Sequence, residues 1–175
     1  MSWDKELEEL RHREGLAEQM GGEEKVARQH SRGKMDARAR LAALVDPGSF
    51  REIGKIAGKA SYDQDGNLEH ILPAPFLFGK AEINGRPVVA TADDFTIRGG
   101  AADAGISRKM VQAEKMAHEL KLPIVRMIDG TGGGGSVKMN ETIRRSYVPY
   151  NPDFDVSVEL LATVPVVGAA LGPVA

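Results

Sequence analysis

The residues best suited to chemistry lie in one short stretch, "LPIVRMIDGTGGGGSVKMNETI", where an apolar run ends in Asp129 and five of the next six residues are glycine. Glycines leave backbone N–H groups unshielded. At the start of a helix such groups bind an anion or a developing oxyanion. Gly130, Gly132 and Gly135 also satisfy G-x-G-x-x-G, the spacing of a dinucleotide loop. The nucleotide readings fail on the neighbouring residues. A Walker A loop needs a lysine directly after its last glycine to reach the terminal phosphates, whereas Gly135 is followed by Ser136-Val137-Lys138. A Rossmann unit needs an acid near the end of the next strand; Asp155 has the spacing but sits in "YVPYNPDFDVS", whose two prolines argue against a central strand. A flexible tether fits poorly, because the glycines are wedged between a buried strand and a helix. A loop that presents backbone amides remains.

Other reactive residues group around this loop or stand alone. Asp93 and Asp94 are adjacent, and neighbours on a strand point to opposite faces, so they do not form an acid pair. Asp94 instead reads as ordering the turn before Gly99-Gly100. Asp129 is placed to cap the amides that follow it rather than to act as a base. His12, His30, His70 and His118 are scattered, with no i, i+4 pair and no cysteine, so no metal site is expected.

The elements that must hold these groups alternate between helix and strand. Residues 1–45 read as a helical arm, with Trp3, Leu7, Leu10 and Leu16 on a sparse stripe, a break at Gly21-Gly22, and Asp36 as N-cap of a helix whose Leu41, Leu44 and Val45 face inward. Its polar outer faces read as solvated or packed on a partner. Pro47-Gly48 closes that helix. "SFREIGKIAG" has short-period apolar character, and "SYDQDGNLEH" reads as a polar loop around Asp65-Gly66. "FLFGKAEI" and "RPVVATADDF" flank Asn84-Gly85, the pair best suited to a tight hairpin turn. Next come a helix carrying Ile106, Met110, Ala113 and Ala117, the strand "IVRMID", the glycine loop, and a last helix-to-strand step through "DVSVELLAT" and "VPVVGAALG". Met110, Met116 and Met127 read as core. This is an α/β pattern, with residues 46–175 as the body behind the arm.

Bulk composition excludes several classes. A chain of 175 residues can bury one proper core. With 42% hydrophobic and 27% charged residues and a formal net charge of -2, nothing asks for nucleic acid or an anionic membrane as partner. The absence of cysteine removes disulfides, thiolate zinc sites and a cysteine nucleophile, and suits the cytoplasm, the expected location. The charged N-terminal twenty residues lack the apolar core of a signal peptide, and the longest apolar run, "VPVVGAALGPVA", is shorter than the ~20 residues of a membrane span.

A resemblance now joins these segments. "SRGKMDARARLAALVDPGSFREIG" is similar to the K-x-T-A-R-E-R-I-x-x-L-L-D-x-G-S-F-x-E segment of the carboxyltransferase (β) subunits of biotin-dependent acyl-CoA carboxylases, such as those acting on propionyl-CoA or methylcrotonyl-CoA. "INGRPVVATADDFTIRGGAADAG" resembles the family's G-R-x-V-x-x-x-x-x-D-F-T-V-x-G-G, "KLPIVRMIDGTGGGG" the strand and loop usually ending D-S-G-G-A-R, and "VPVVGAALGPVA" the strand leading to G-P-x-A-G-G. The matches run in order over residues 31–175.

The resemblance implies a crotonase (ClpP-like) fold of stacked ββα units behind the helical arm, in which backbone amides hold an acyl-CoA thioester. It implies transfer of CO2 from carboxybiotin, carried on a separate domain, to the α-carbon of an acyl-CoA. Biotin carboxylase and biotin carboxyl carrier subunits would be partners, and the full subunit a homo-oligomer. Gly132, Gly133, Gly134 and Gly135 would supply the oxyanion-binding amide, while Arg98, Gly99, Gly100 and Asp129 would line the substrate; Arg98 could contact a CoA phosphate or stand in solvent. Where the family has D-S-G-G-A-R, this chain has extra glycine and no arginine, so the resemblance implies the role for all four glycines together. Family subunits are considerably longer, so the chain reads as the N-terminal part of one, with a partial acyl-CoA domain and half of the oxyanion hole. Two alternatives stay open: an acyl-CoA decarboxylase subunit on the same scaffold, and a non-catalytic assembly or regulatory module.

Overall fold

The computed structural model describes residues 2–100, 108–130 and 153–172. Three helices come first: α1 (Asp4–Glu18), α2 (Glu23–Ser31) and α3 (Ala37–Leu44). Asp36 caps α3 as its sequence suggests, its Oδ1 accepting from the Ala39 N–H at 2.9 Å. The stripe of α1 does not pack: Trp3, Leu7 and Leu10 are exposed, and the helix is anchored by its end, through Ala17 and the following Met20.

Among the described residues seven strands follow: β1 (Arg51–Glu52), β2 (Gly58–Tyr62), β3 (Leu68–Pro73), β4 (Phe76–Ile83), β5 (Arg86–Asp93), β6 (Ile124–Ile128) and β7 (Val166–Ala170), with α4 (Arg108–Leu120) before β6 and α5 (Phe154–Thr163) before β7. The main sheet has the order β1-β4-β5-β6-β7. β4 and β5 pair antiparallel around Asn84 (φ 52°) and Gly85 (φ 72°), the left-handed pair that the Asn-Gly dipeptide tolerates. β5, β6 and β7 are parallel, so their carboxyl ends, at Asp93, Ile128 and Ala170, share one edge.

Alternation along β5 sends Ala90 and Ala92 to one face and Val89 and Thr91 to the other. The first face packs on α3, with Ala37, Leu41 and Val45 meeting Leu77, Ala81, Val88 and Met127. The second packs on α4 and α5, with Phe78 and Val89 meeting Ala113, Ala117 and Leu160. The result is helix on both faces of a mixed sheet, the α/β layering expected.

Two readings are corrected. The segment taken as a polar loop around Asp65-Gly66 is a second hairpin, β2–β3, with a register shift at Ser61/Tyr62 and a turn in which Asp63 Oδ1 accepts from the N–H groups of Asp65 and Asn67 at 2.9 and 2.8 Å. Every residue of β2 is exposed, so no apolar alternation marks it in the sequence. Met110, read as core with Met116 and Met127, is 44% exposed, while Met127 is buried. Ile106, placed on the same helix, lies outside the described residues. No helix among the described residues is long and apolar enough to cross a membrane.

Candidate functional site

In open α/β sheets, ligands bind outside the carboxyl ends of parallel strands. Three turns meet there in this chain. The first follows β5. Asp94, fully buried, accepts from the Thr96 N–H at 2.9 Å and its hydroxyl at 2.6 Å, and Thr96 Oγ1 accepts in turn from the Gly21 N–H at 3.0 Å. The turn thus fastened leads into Arg98, Gly99 and Gly100, all left-handed with φ of 51°, 68° and 71°. Glycine adopts that conformation without strain and arginine does not. Arg98 projects into solvent. The Gly100 N–H donates to the Ile97 carbonyl at 2.9 Å, which closes the turn.

The second turn leaves β6 at Asp129 and Gly130. The Asp129 N–H donates to Asp93 Oδ2 at 3.1 Å, tying the ends of β5 and β6 together. A Cβ on Gly100 would stand 2.8 Å from the Asp129 carbonyl oxygen, so only glycine permits this approach of the two turns. The third turn follows β7, where Leu171 N–H donates to the Ile128 carbonyl at 2.9 Å. A Cβ on Gly172 would fall 1.7 Å from Asp129 Oδ1. The Asp129 carboxylate therefore occupies the space a side chain at 172 would need.

That carboxylate is wholly buried and held by the helical arm. Arg40 Nη2, itself 7% exposed, lies 2.6 Å from Oδ2, Gln29 Nε2 donates to Oδ2 at 3.4 Å, and Lys34 Nζ lies 3.9 Å from Oδ1. Oδ1 has no hydrogen-bond partner among the described residues. Lys34 also lies 5.8 Å from the centre of the Phe95 ring, within cation–π range.

Burial raises the Asp93 carboxyl above its ordinary value; the Asp129 N–H opposes the shift and the Asp129 charge adds to it. Burial likewise raises Asp94, against its hydrogen bonds from Thr96. Asp93 lines a cavity of about 110 Å³ between α4 and the sheet, with Phe76, Thr91, Met110, Glu114 and Arg126 among its walls. A larger cavity of about 340 Å³ lies at the end of α3, around Val45, Pro47 and Phe50, and none of the edge residues lines it.

Of the residues singled out in the sequence, the fold brings Gly99, Gly100 and Asp129 together and leaves Arg98 at the rim. Gly132, Gly133, Gly134 and Gly135 lie outside the described residues. Sequence reading missed Arg40, Gln29, Lys34 and Gly172. The one available signal was "DARAR": arginines two apart on a helix point roughly 200° apart, and here Arg38 pairs with Glu52 while Arg40 pairs with Asp129. Among the described residues, no group of three His, Asp or Glu could hold a metal ion.

Comparison with known proteins gives the family. Residues 28–154 match the carboxyl transferase domain family. The chain is 35% identical over 170 residues to the methylmalonyl-CoA carboxyltransferase 12S subunit of Propionibacterium freudenreichii subsp. shermanii, covering 97% of this chain and 31% of that protein. It is 30% identical over 176 residues to the carboxyltransferase subunit of propionyl-CoA carboxylase from Haloferax mediterranei, covering 100% of this chain and 33% of that protein. The fold superposes with a TM-score of 0.71 on a transcarboxylase 12S structure, a hexamer with hydrolysed methylmalonyl-coenzyme A bound, at 29% identity over 95% of this chain and 32% of the other. The chain thus spans about a third of the length of these relatives. The architecture is that of the crotonase-type carboxyltransferases.

Proposed function

Because the chain belongs to the carboxyl transferase domain family, we propose that it forms the acyl-CoA-binding part of a carboxyltransferase subunit of a biotin-dependent acyl-CoA carboxylase. The observation that carries the reading is the meeting of three glycine turns, at Gly100, Gly130 and Gly172, outside the carboxyl ends of β5, β6 and β7. At Gly100 and Gly172 a Cβ has no room, so bare backbone stands at those two points of the edge. An acyl-CoA enolate places its charge on the thioester oxygen, and preorganised N–H donors stabilise such charge by about 3–4 kcal/mol each.

Gly100 N–H is already engaged with Ile97. We assign the oxyanion donor to the glycines after Asp129, Gly132 to Gly135, and the substrate-lining role to Gly99, Gly100 and Asp129. Arg98, exposed at the rim, is suited to a CoA phosphate. The cavity beside Asp93 suits a short acyl group. Carboxybiotin, delivered by a carrier domain and charged by biotin carboxylase, would supply the carboxyl group. Relatives solved as hexamers support a homo-oligomer for the full subunit.

Calorimetric titration of the chain with propionyl-CoA tests the reading. Binding is expected, weakened at least about tenfold by Gly133→Pro or Gly134→Pro with the circular dichroism spectrum unchanged. No binding by the wild-type chain, or undiminished binding by both variants, overturns it.

A further inference from the structure

Asp129 is an expensive residue to bury: a carboxylate with no exposure, at the end of a strand, facing a helical arm whose Gln29 stands a hundred residues earlier in the chain. A carboxylate needed only to end the strand would sit more cheaply in water. Its two oxygens do different jobs. Oδ2 takes Arg40 and Gln29, both themselves buried. Oδ1 fills the space beside Gly172, and the carbonyl of the same residue packs against Gly100. One residue therefore touches all three turns of the edge, since Gly130 follows it directly, and its side-chain position is set from α2 and α3.

We infer that Arg40 and Gln29 are positioning residues: acting through Asp129, they hold the turns at Gly100, Gly130 and Gly172 in one register, so that the arm and the sheet edge form a single preorganised unit. Arg40 reaches Asp129 through Nη2 on Oδ2, and its rigid planar guanidinium holds that nitrogen in place as the ammonium of a flexible lysine would not. Asp93 completes the arrangement from the other side by accepting the Asp129 N–H. Misplacement of an oxyanion site by about 1 Å is enough to lose most of its effect, which gives the arm a direct influence on the chemistry without touching substrate. The device acts on the edge proposed above as the thioester site, yet its test needs no ligand.

The readout is amide hydrogen exchange by NMR at three bonded groups of the edge, Gly100, Asp129 and Leu171, against Val89, whose N–H donates to Pro123 in the core. In the double variant Arg40→Met/Asp129→Leu both buried charges are removed together, so the core is expected to stay protected. The three edge amides should exchange at least about tenfold faster while Val89 changes less than about twofold. Equal acceleration at all four sites, or none at the edge, overturns the inference, because the pair would then serve stability alone or nothing. Arg40→Lys and Gly172→Ala keep the charge balance and read the same amides if the double variant does not fold; unchanged edge exchange in both is equally fatal. Titration of the variants with propionyl-CoA separates the two ideas. A wild-type chain that does not bind removes the functional reading, while the exchange result still decides the positioning role.

Discussion

Lys109, at the start of α4, shows at the scale of one residue how the fold perturbs chemistry away from the glycine turns. It is 5% exposed, its stem lies 3.6 Å from the Cβ position of Gly54, and it makes no ion pair or hydrogen bond among the described residues. Glu52, the acid that acts on it, is already paired with Arg38. Burial accordingly lowers its pKa to about 8, with Glu52 opposing and Arg38 adding to the shift. The unfolded chain binds the proton more tightly than the folded one, so the charged lysine opposes folding at neutral pH, and stability rises as pH climbs from about 8 towards the ordinary value of 10.5. Lys109→Met keeps the stem and removes the charge. It is expected to stabilise the chain at pH 7 by up to about 3 kcal/mol, an advantage that shrinks steadily between pH 8 and 10.5. Urea unfolding of both proteins at pH 7, 9 and 10 measures it; a gap independent of pH would show that the ammonium reaches water or a partner.

At the scale of elements, the end of α3 is fastened to the β4–β5 turn by a single side chain. Asp46 follows the helix, and its two oxygens accept from the N–H groups of Asn84 and Gly85 at 2.9 and 2.7 Å, while its own N–H donates to the Glu82 carbonyl at 2.8 Å. Asp46→Ala leaves both turn amides to solvent and is expected to cost about 1–2 kcal/mol of stability, since hydrogen bonds to a charged acceptor exceed neutral ones. A midpoint in urea equal to that of the wild type would rule the clamp out. The sequence announces this turn through Asn84-Gly85, and α3 through Asp36, because those signals are local: a left-handed pair and an oxygen three residues before a bare N–H. The clamp between them is not announced, since nothing in the sequence around Asp46 points to residues almost forty positions away. The same limit hid the candidate site. The glycines and Asp129 stand out by composition, but Gln29, Lys34 and Arg40 look like ordinary polar positions on a charged arm, and only the fold carries them to the end of β6. The β2–β3 hairpin was missed for a different reason: every residue of β2 is exposed, so that strand has no alternation to read. Met110 shows the converse error, an apolar residue at helical spacing that stays 44% exposed at the wall of the cavity beside Asp93.

For the whole molecule the question is how far the arm can be separated from the body. Divided at residue 45, the chain would give a helical arm and a sheet domain, but the core crosses that line. Ala37, Leu41 and Val45 lie in the same cluster as Leu77, Ala81, Val88, Ala90, Ala92 and Met127, so one face of the central strands is covered by the arm. Removing it exposes that face, and burial of a single leucine or valine side chain contributes about 1.5–3 kcal/mol. It also strips Asp129 of Arg40, Gln29 and Lys34 together. A buried charge left without its partner costs about 3–5 kcal/mol. The combined loss is comparable with the roughly 5–15 kcal/mol that keeps a domain folded. Residues 46–175 alone are therefore expected to show no cooperative urea or thermal transition and to bind a hydrophobic dye, while the 175-residue chain unfolds in a single step. Adding residues 1–45 as a separate peptide should restore part of the transition in proportion to its concentration, as binding to the folded state alone requires. A cooperative transition in 46–175 without the peptide would make the arm an attachment, and Asp129 would then have to find its counter-charge within the sheet.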